Sequence, residues 1–457
     1  MLSSRTHRAS SDSDSDIVVI GGGPAGLAAA HHLSTAGLTV TVLEAEDRIG
    51  GRMATEHRDG FRLDRAAQLP LPDSPDLRRL PRPLPVRRLT GGVLLRGDRH
   101  TQRIGEDPGH RDEARAAGGA GSRSRALALA ADQSWLRANL TGLGRCPDAR
   151  LRARPELTAA EALAARPIPR RIAEEALRPL LSALLHDAEL ATSSHVGDLA
   201  LRAFARRGLS MPAGGAAALP ESLAAGLPPG SVRTGVRAVS VATTAVETRA
   251  HGTFRCRAVV VATGAEAAAR LLPGLRVPAF HPVTVLHHAA EGTLPPGATL
   301  IVDAAGRGPV SHTLAVSAAD PSRAPAGRTL VTSVVLGVRA GEPTELLDKA
   351  ARPQLSEMYG TAADDWELLA ARHDPRAVPV VPPPYAGVRP VRLLDGLYIC
   401  GDHRDTPGPA GDLASARRAA AALLADARVC PAATGPDPAA PDPAPAVPDA
   451  AAVPAAR

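Results

Sequence analysis

The chain has 457 residues, of which 44% are hydrophobic and 22% charged, and its formal net charge is +6. This balance is typical of a folded globular protein and excludes a chain that is disordered or fibrous as a whole. Aromatic residues make up only 2% of the chain, so a site built as a cage of stacked rings is not expected. The arginines that dominate the basic residues are spread along the sequence, and without a concentrated patch nucleic-acid binding is not predicted.

The two ends of the chain differ in composition from its body. Residues 1–15 are rich in serine and aspartate, and residues 429–457 are rich in proline and alanine, so both segments are predicted to be disordered. The first 15 residues hold no apolar leader, and no run of 18 apolar residues follows. Four separated cysteines form no CxxC pair, so neither a disulfide framework nor a metal site is expected. These features favour a cytoplasmic protein.

The first predicted elements form a nucleotide-binding unit. A buried strand over Asp16–Ile20 is followed by a glycine-rich turn, a helix over 24–36 and a second strand over Leu38–Leu43. The turn carries the spacing G-x-G-x-x-G. In this pattern the first glycine allows the tight turn, the second lets a pyrophosphate approach, and the third lets the helix pack on the strand. The amides at the start of the helix then face the phosphates.

Glu44 ends the second strand, 23 residues after Gly21. A carboxylate at this position accepts hydrogen bonds from the hydroxyls of an adenosine ribose, which favours FAD or NAD over a 2′-phosphorylated cofactor. The strand, turn, helix, strand and acid all fall in register, which makes the prediction of a nucleotide site specific.

The residues after Glu44 carry a resemblance to a known family. The run from Glu44 to Arg52 reads E-A-x-x-R-x-G-G-R, and it contains Arg48, Gly51 and Arg52. This run resembles the second signature of the GR2-type FAD proteins, a superfamily of flavin amine oxidases, protoporphyrinogen oxidases and phytoene desaturases. The resemblance implies FAD as the cofactor and places the Arg48–Arg52 loop along its ribose and pyrophosphate.

Later segments alternate between strand–turn–helix patterns like the first one and helical or β-rich patterns. This alternation predicts an α/β fold with a Rossmann-like FAD-binding domain interleaved with an α+β substrate domain. A loop is expected over about 97–125, helices over about 125–205, β-rich runs over 283–337, a helix near 343–358, and a final helix over 411–428. The FAD-binding domain is assigned to 16–70, 208–275 and 391–428. The substrate domain is assigned to 71–207, which is mostly helical, and to 276–390, which is β-rich.

Two of these later segments extend the resemblance. The segment from Met211 resembles the family's GG–helix–strand unit, in which a backbone valine, here Val236, contacts the adenine, and Thr263 and Gly264 match the next turn. The run LYICGD and the helix after it resemble the last signature, which implies that Asp402 faces the ribityl and phosphate region. Gly411 and Ser415 match common family positions, whereas Asp412 and Ala416 replace the small residues usual there. An acid in that place would oppose negative charge on a reduced flavin.

The cofactor-binding residues predicted from the motif and the resemblance lie in all three FAD segments. They are Gly21, Gly23, Pro24, Ala25, Gly26, Glu44, Ala45, Arg48, Gly51, Arg52, Val236, Thr263, Gly264, Gly401, Asp402 and Gly411.

No catalytic residue is assigned from the sequence. Lys349, the sole lysine, lies in a helical stretch outside the expected site. His287 and His288 are adjacent on a predicted strand, so at most one faces a cavity, and a structural role is favoured for both. His403 follows Asp402 and is a candidate for contact with the cofactor. Cys400 is expected in the core.

The predicted function is FAD-dependent dehydrogenation of a small hydrophobic molecule by hydride transfer to flavin N5, as in phytoene desaturases and protoporphyrinogen oxidases. True amine oxidases often hold the amine between two aromatic rings, and this chain has few. The alternatives are a flavin amine oxidase, an FAD-dependent isomerase and a non-catalytic flavoprotein. Oxygen or a quinone is the expected acceptor, and peripheral membrane contact and the oligomeric state stay open.

Overall fold

The computed structural model describes residues 15–66, 75–98, 101–105, 120–385 and 387–427. Its strands are β1 (Ile17–Ile20), β2 (Val40–Leu43), β3 (Thr55–Arg58), β4 (Phe61–Asp64), β5 (Val86–Arg88), β6 (Val93–Arg96), β7 (Thr101–Ile104), β8 (Ser210–Pro212), β9 (Val232–Arg233), β10 (Ala238–Ala242), β11 (Ala245–Thr248), β12 (Thr253–Arg255), β13 (Ala258–Val261), β14 (Phe280–Glu291), β15 (Leu300–Asp303), β16 (Val310–Ala315), β17 (Arg328–Leu336), β18 (Glu367–Pro379), β19 (Arg392–Leu394) and β20 (Leu397–Ile399). Its α-helices are α1 (Pro24–Thr35), α2 (Ala120–Arg145), α3 (Asp148–Arg152), α4 (Ala159–Ala165), α5 (Arg170–Ile172), α6 (Arg178–Leu185), α7 (Ser194–Arg207), α8 (Ala218–Ala224), α9 (Ala265–Leu271), α10 (Val316–Ala319), α11 (Thr344–Tyr359) and α12 (Pro409–Asp426).

The nucleotide sheet has the strand order β19-β20-β13-β1-β2-β9. Strands β20, β13, β1, β2 and β9 run parallel, and β19 pairs antiparallel at one edge. All four residues of β1 are buried, as a continuous apolar strand in a parallel sheet requires. Helix α1 begins at Pro24, where a missing N–H costs little, and packs against α12. The predicted strand–turn–helix–strand unit is therefore confirmed.

The large sheet has the strand order β18-β14-β17-β16-β15-β6-β7 and is antiparallel except between β15 and β6. Neighbouring residues along a strand enter different cores, because successive side chains point to opposite faces. Leu300 and Leu330 pack in one core with leucines of the helices α2, α4, α6 and α7, whereas Ile301 and Val331 pack in another with α11. Both faces of this sheet are thus covered.

The loop expected over 97–125 is wrong at both ends. Thr101–Ile104 forms the edge strand β7 of the large sheet, and α2 already begins at Ala120. Residues 99–100 and 106–119, between those elements, lie outside the described residues. The segment 71–207, expected to be mostly helical, also contains β5 and β6 before its helices. These short strands were missed because their partners are distant in the sequence, β8 for β5 and β15 for β6, so the pairing leaves no local pattern. The ends predicted to be disordered, 1–15 and 429–457, lie outside the described residues except for Ser15.

Three sequence segments contribute strands to the nucleotide sheet: β1 and β2 come first, β9 and β13 follow, and β19 and β20 come last. The intervening segments supply the strands of the large sheet. The domain boundaries given above stay a prediction that agrees with this strand usage.

One close contact fixes the turn between β1 and α1. A Cβ atom built on Gly26 would lie 1.9 Å from the carbonyl oxygen of Gly21, which is a contact with backbone rather than with a mobile side chain. Gly21 itself has a φ of +112°, in a region that side chains rarely adopt, and its own Cβ would lie 2.7 Å from the Ala262 carbonyl oxygen. The turn therefore requires glycine at both positions to bring the start of α1 against β1 and β13.

The substitution Gly26→Ala tests this contact. We expect it to lower the free energy of unfolding by about 1–3 kcal/mol, because the added methyl group forces the helix away from the turn. The measurement is denaturant unfolding of the purified protein. Gly142→Ala is the matched control, since Gly142 lies in α2 with no atom within 4 Å of a built Cβ. That control is expected to gain about 0.5–1 kcal/mol from helix propensity. Equal effects at the two sites would contradict the account of the turn.

Candidate cofactor cavity

A cavity of about 620 Å³ lies where the parallel strands of the nucleotide sheet end. Strands β1, β2, β13 and β20 end at Ile20, Leu43, Val261 and Ile399. The carboxyl ends of parallel strands meet at the same edge of a sheet, which is where open α/β sheets bind ligands. The loops after these four strands supply most of the cavity wall, and β14 and β18 of the large sheet supply another part of it.

The glycine-rich turn presents backbone to this cavity. Gly23 caps α1 with a φ of −79°, and a Cβ built on it would meet no atom within 4 Å. Gly23 thus leaves open space in front of the first amides of α1, which carry the positive end of the helix dipole. Pro24 and Ala25 continue the wall. The arrangement suits an anionic group such as a pyrophosphate.

Glu44 both lines the cavity and holds its loops. Its Oε2 accepts a hydrogen bond from the Gly22 amide at 2.6 Å, and its Oε1 accepts one from the Glu46 amide at 2.8 Å. The side chain is 9% exposed. Each carboxylate oxygen has a further lone pair, so Glu44 is able to accept ribose hydroxyls while it braces the glycine turn.

An ion pair between Arg52 and Asp402 joins the second and the last FAD segments. The distance from Arg52 Nη2 to Asp402 Oδ2 is 2.6 Å, and Arg52 Nη1 also donates to the Ala377 carbonyl of β18 at 2.8 Å. Burial disfavours the charge of Arg52, but the carboxylates of Asp402 and Asp412 outweigh it and raise the pKa of Arg52. Arg52 is therefore a permanent cation of the cavity wall.

Several buried polar atoms of the wall have no hydrogen-bond partner among the described residues. They are the Thr263 hydroxyl and both ring nitrogens of His403. His403 is 5% exposed, and burial lowers its pKa to about 4, so the imidazole is neutral at pH 7. Unpaired buried polar groups are costly, and a bound ligand with its own donors and acceptors would pair them. Together with the open turn at Gly23, they fit the FAD that the sequence predicts.

The structure brings most of the predicted cofactor residues together. Those that line the cavity are Gly21, Gly23, Pro24, Ala25, Glu44, Ala45, Gly51, Arg52, Val236, Thr263, Gly264, Gly401 and Asp402.

Three predicted residues do not line it. Gly26 and Gly411 lie behind the wall, where each allows a close backbone contact; a Cβ on Gly411 would lie 1.8 Å from the Thr406 carbonyl oxygen. Arg48 also lies outside the wall: its side chain is 47% exposed and its Nε pairs with the Asp47 carboxylate at 3.1 Å. Its assignment to the cofactor stays a prediction.

Val236 is at the cavity, but its setting differs from the expected one. It lies between β9 and β10 rather than within a strand, and its amide already donates to the Glu44 carbonyl at 2.8 Å. Because the Val236 amide is already used, only the Val236 carbonyl oxygen would be able to accept a hydrogen bond from an adenine.

Part of the wall was missed by sequence reasoning. Phe280 on β14, Asp374 and Arg376 on β18, and Glu266 on α9 line the cavity. Arg376 Nε pairs with Glu266 Oε1 at 2.7 Å, which links the large sheet to the nucleotide unit. No local motif marks these residues, since their position depends on the pairing of β14 with β18.

The remaining histidines and cysteines fit structural roles. His287 and His288 are both fully buried in the large sheet; His287 contacts the Thr332 hydroxyl at 3.0 Å, and His288 contacts the Asp348 carboxylate at 2.8 Å. Cys400 is buried in the core as expected. Among the described residues, no cluster of histidine, cysteine or acidic side chains is able to hold a metal ion. Within the same part of the chain, every helix is too short or too polar to cross a membrane.

Comparisons with curated proteins give short stretches of similarity. Putrescine oxidase from Kocuria rosea is 46% identical over 77 residues, which is 17% of this chain and 16% of that enzyme. The alignment therefore spans about a sixth of the relative's own length.

Solved structures match over nearly the whole chain. A protein from Pyrococcus furiosus superposes with a TM-score of 0.66 at 17% identity, covering 89% of this chain and 97% of that one. A protoporphyrinogen oxidase-like protein from Exiguobacterium sp. 255-15 superposes with a TM-score of 0.63 at 19% identity, covering 91% and 99%. At these identities the superpositions establish the fold.

The family follows from a match that spans most of the sequence. Residues 24–424 fit the model of the flavin-containing amine oxidoreductases. This range takes in α1, both sheets apart from β1, and all of α12 but its last two residues. The chain therefore belongs to the flavin-containing amine oxidoreductase family.

Proposed function

We propose that this chain is an oxidoreductase that holds FAD in the cavity at the edge of the nucleotide sheet and dehydrogenates a small apolar molecule. The observation that carries the choice of substrate class is the position of the aromatic side chains. All nine of them lie in the described part of the chain, and among these Phe280 alone lines the cavity.

The other aromatic side chains are engaged elsewhere. Phe61, Phe204 and Trp135 belong to or pack on the helical core, and Phe254 and Tyr398 lie in the cores of the nucleotide unit. Tyr359, the last residue of α11, packs against Trp366. Tyr385 lies beneath the Arg152 guanidinium, 6.0 Å from it. A pair of rings that would clamp an amine is thus missing from the described wall, which supports an apolar substrate over an amine.

The residues of the wall have distinct parts in this proposal. Glu44 would hold the adenosine ribose, the start of α1 at Gly23 would face the pyrophosphate, and Arg52 and Asp402 would fix the flavin end. When bound, FAD would accept a hydride equivalent at N5. The protein then orients the reacting C–H bond and excludes water, and oxygen or a quinone takes up the electrons.

Amine oxidation is the alternative, supported by the local identity to putrescine oxidase. The carboxylates of Asp374 and Asp412 in the wall would offer partners to an ammonium group. An isomerase or a non-catalytic flavoprotein would keep the same FAD site without net oxidation of a substrate.

Glu44→Ala tests the cofactor site. We expect FAD affinity to fall by on the order of 2–3 kcal/mol, because the variant loses the ribose acceptor and the brace on Gly22. Fluorescence titration of the apoprotein with FAD measures the loss.

Glu345→Ala is the matched control, since Glu345 is an exposed glutamate on α11, away from the cavity. It should bind FAD as the parent does. Thermal unfolding of both apoproteins separates loss of the ribose contact from loss of fold. A Glu44→Ala protein that folds and retains parental affinity would remove Glu44 from the site.

The substrate class is tested by anaerobic reduction of the FAD-loaded protein, followed as bleaching of the flavin band near ~450 nm. One panel contains putrescine, polyamines and cyclic amines, and the other contains carotenoid precursors and protoporphyrinogen. The proposal expects bleaching by a member of the apolar panel and none by the amines.

Bleaching by amines alone would replace the proposal with amine oxidation. An isomerised product without bleaching would indicate an isomerase. Neither bleaching nor product with either panel would favour a non-catalytic flavoprotein. Failure of the protein to bind FAD at all would contradict the cofactor site itself.

A further inference from the structure

Asp412 is the least expected residue of the cavity wall. It lies in the first turn of α12, it is 8% exposed, and the resemblance to related proteins leads one to expect a small residue there. The proposed FAD site gives this carboxyl group no role in holding the cofactor.

Asp412 and Asp402 form a pair of buried carboxyl groups. Asp412 Oδ1 accepts a hydrogen bond from the Asp402 backbone amide at 2.8 Å. The Asp402 carboxylate is occupied by Arg52 at 2.6 Å and by the Gly408 amide at 3.3 Å. Arg52 thus forms its ion pair with Asp402. Within the described chain, no cation lies at ion-pair distance from the Asp412 carboxyl group.

The second oxygen of Asp412, Oδ2, accepts no hydrogen bond from any described residue. It belongs to a side chain that borders the cavity, so it is free to face a bound molecule. When protonated on Oδ2, this carboxyl group keeps the Asp402 amide on Oδ1 and gains a donor that faces the cavity.

The charge of the cavity points the same way. Six acidic side chains and four arginines occur among the described residues of its wall, so the wall carries an excess of carboxyl groups before an anionic cofactor enters. Burial, reinforced by the Asp402 carboxylate, raises the pKa of Asp412 to about 7. Protonation of this one residue therefore removes a negative charge from the wall at little cost near neutral pH.

A second observation indicates that the wall beside Asp412 is completed by a polar ligand. His403, one residue after Asp402, is 5% exposed and has both ring nitrogens unpaired among the described residues. A neutral imidazole offers one donor and one acceptor. These groups border the same cavity as Asp412 and call for complementary atoms on a bound molecule.

We propose that Asp412 binds the cofactor in its protonated form and donates a hydrogen bond from Oδ2 to an acceptor on the bound FAD. The inference rests on the proposed FAD site. It means that the protein takes up one proton when FAD binds. The proton comes from solvent, and the bound complex holds it on the Asp412 carboxyl group. Above neutral pH, binding must first protonate Asp412, so affinity falls as pH rises.

Other ionisable groups face Asp412 from the elements packed around it. They are Arg52 after β2, Asp402 and His403 after β20, and the Cys400 thiol, whose pKa burial raises; Asp374 on β18 lies in the same wall and acts on Arg52. Arg52 is charged, Cys400 is protonated and His403 is neutral throughout the range from pH 6 to 9, so these three do not produce the same dependence.

The test measures the dissociation constant of FAD for the apoprotein by fluorescence quenching from pH 6 to 9. For the parent protein we expect affinity to fall by up to tenfold per pH unit above about pH 7. The Asp412→Asn protein keeps a donor without a titrating proton, so its affinity should be nearly constant. Asp426→Asn makes the same change at the far end of α12, outside the cavity wall, and should behave as the parent does.

Calorimetry at pH 8 in two buffers of different ionisation enthalpy gives a second readout. The parent should take up close to one proton per FAD bound, and Asp412→Asn close to none. If Asp412→Asn fails to fold, Asp412→Ala takes its place, because a small residue is usual at this position in related sequences.

The outcomes separate the two claims. FAD binding with no proton uptake by the parent, or with the same pH dependence in the parent and the Asp412 variants, would overturn the role of Asp412 and leave the FAD site intact. No FAD binding by the parent at any pH would overturn the proposed site and, with it, this inference.

Discussion

The ion pair between Arg52 and Asp402 is the interaction on which the candidate site depends. It connects residues 350 positions apart in the sequence, one after β2 and the other after β20, and it lies at the cavity wall. Through its second nitrogen Arg52 also holds the Ala377 carbonyl of β18, so one guanidinium joins the nucleotide sheet to the large sheet. A planar fork with several donors serves this purpose in a way that a lysine would not. Without Arg52, Asp402 would be left as a buried carboxylate with no cation.

The other constraint on the site is close backbone approach at the strand ends. Gly21 and Gly26 let β1, β13 and α1 meet, and Gly23 leaves the start of the helix open toward the cavity. Glu44 then ties this turn to the end of β2 by accepting the Gly22 amide. The same carboxylate thus has a structural part and a proposed ligand-binding part, which explains why an acid is needed at the end of the strand.

The nucleotide unit could be predicted from the sequence because its signals are local. The apolar run of β1, the glycine spacing and the acid at Glu44 lie within 30 residues, and the predicted elements agree with the observed ones to within about two residues. The fold class and FAD followed from three such segments. Motif spacing does not reveal which of two arginines turns inward: Arg52 lies in the cavity wall, whereas Arg48 is exposed beside Asp47.

What the sequence could not provide depends on long-range pairing. Asp374 and Arg376 reach the cavity only because β18 pairs with β14, and β7 joins the large sheet through β6, which itself pairs with the distant β15. The two adjacent histidines of β14 illustrate the same point. They point to opposite faces of the large sheet, and since both faces are covered, neither side chain lines the cavity.

The central claim is that FAD occupies the cavity at the edge of the nucleotide sheet. The most direct measurement is a crystal structure of the protein grown with excess FAD. We expect density for the adenosine beside Glu44, for the pyrophosphate at Gly23, and for the flavin beside Arg52 and Asp402. Density for FAD at another place, or a cavity without it at saturating FAD, would contradict the account.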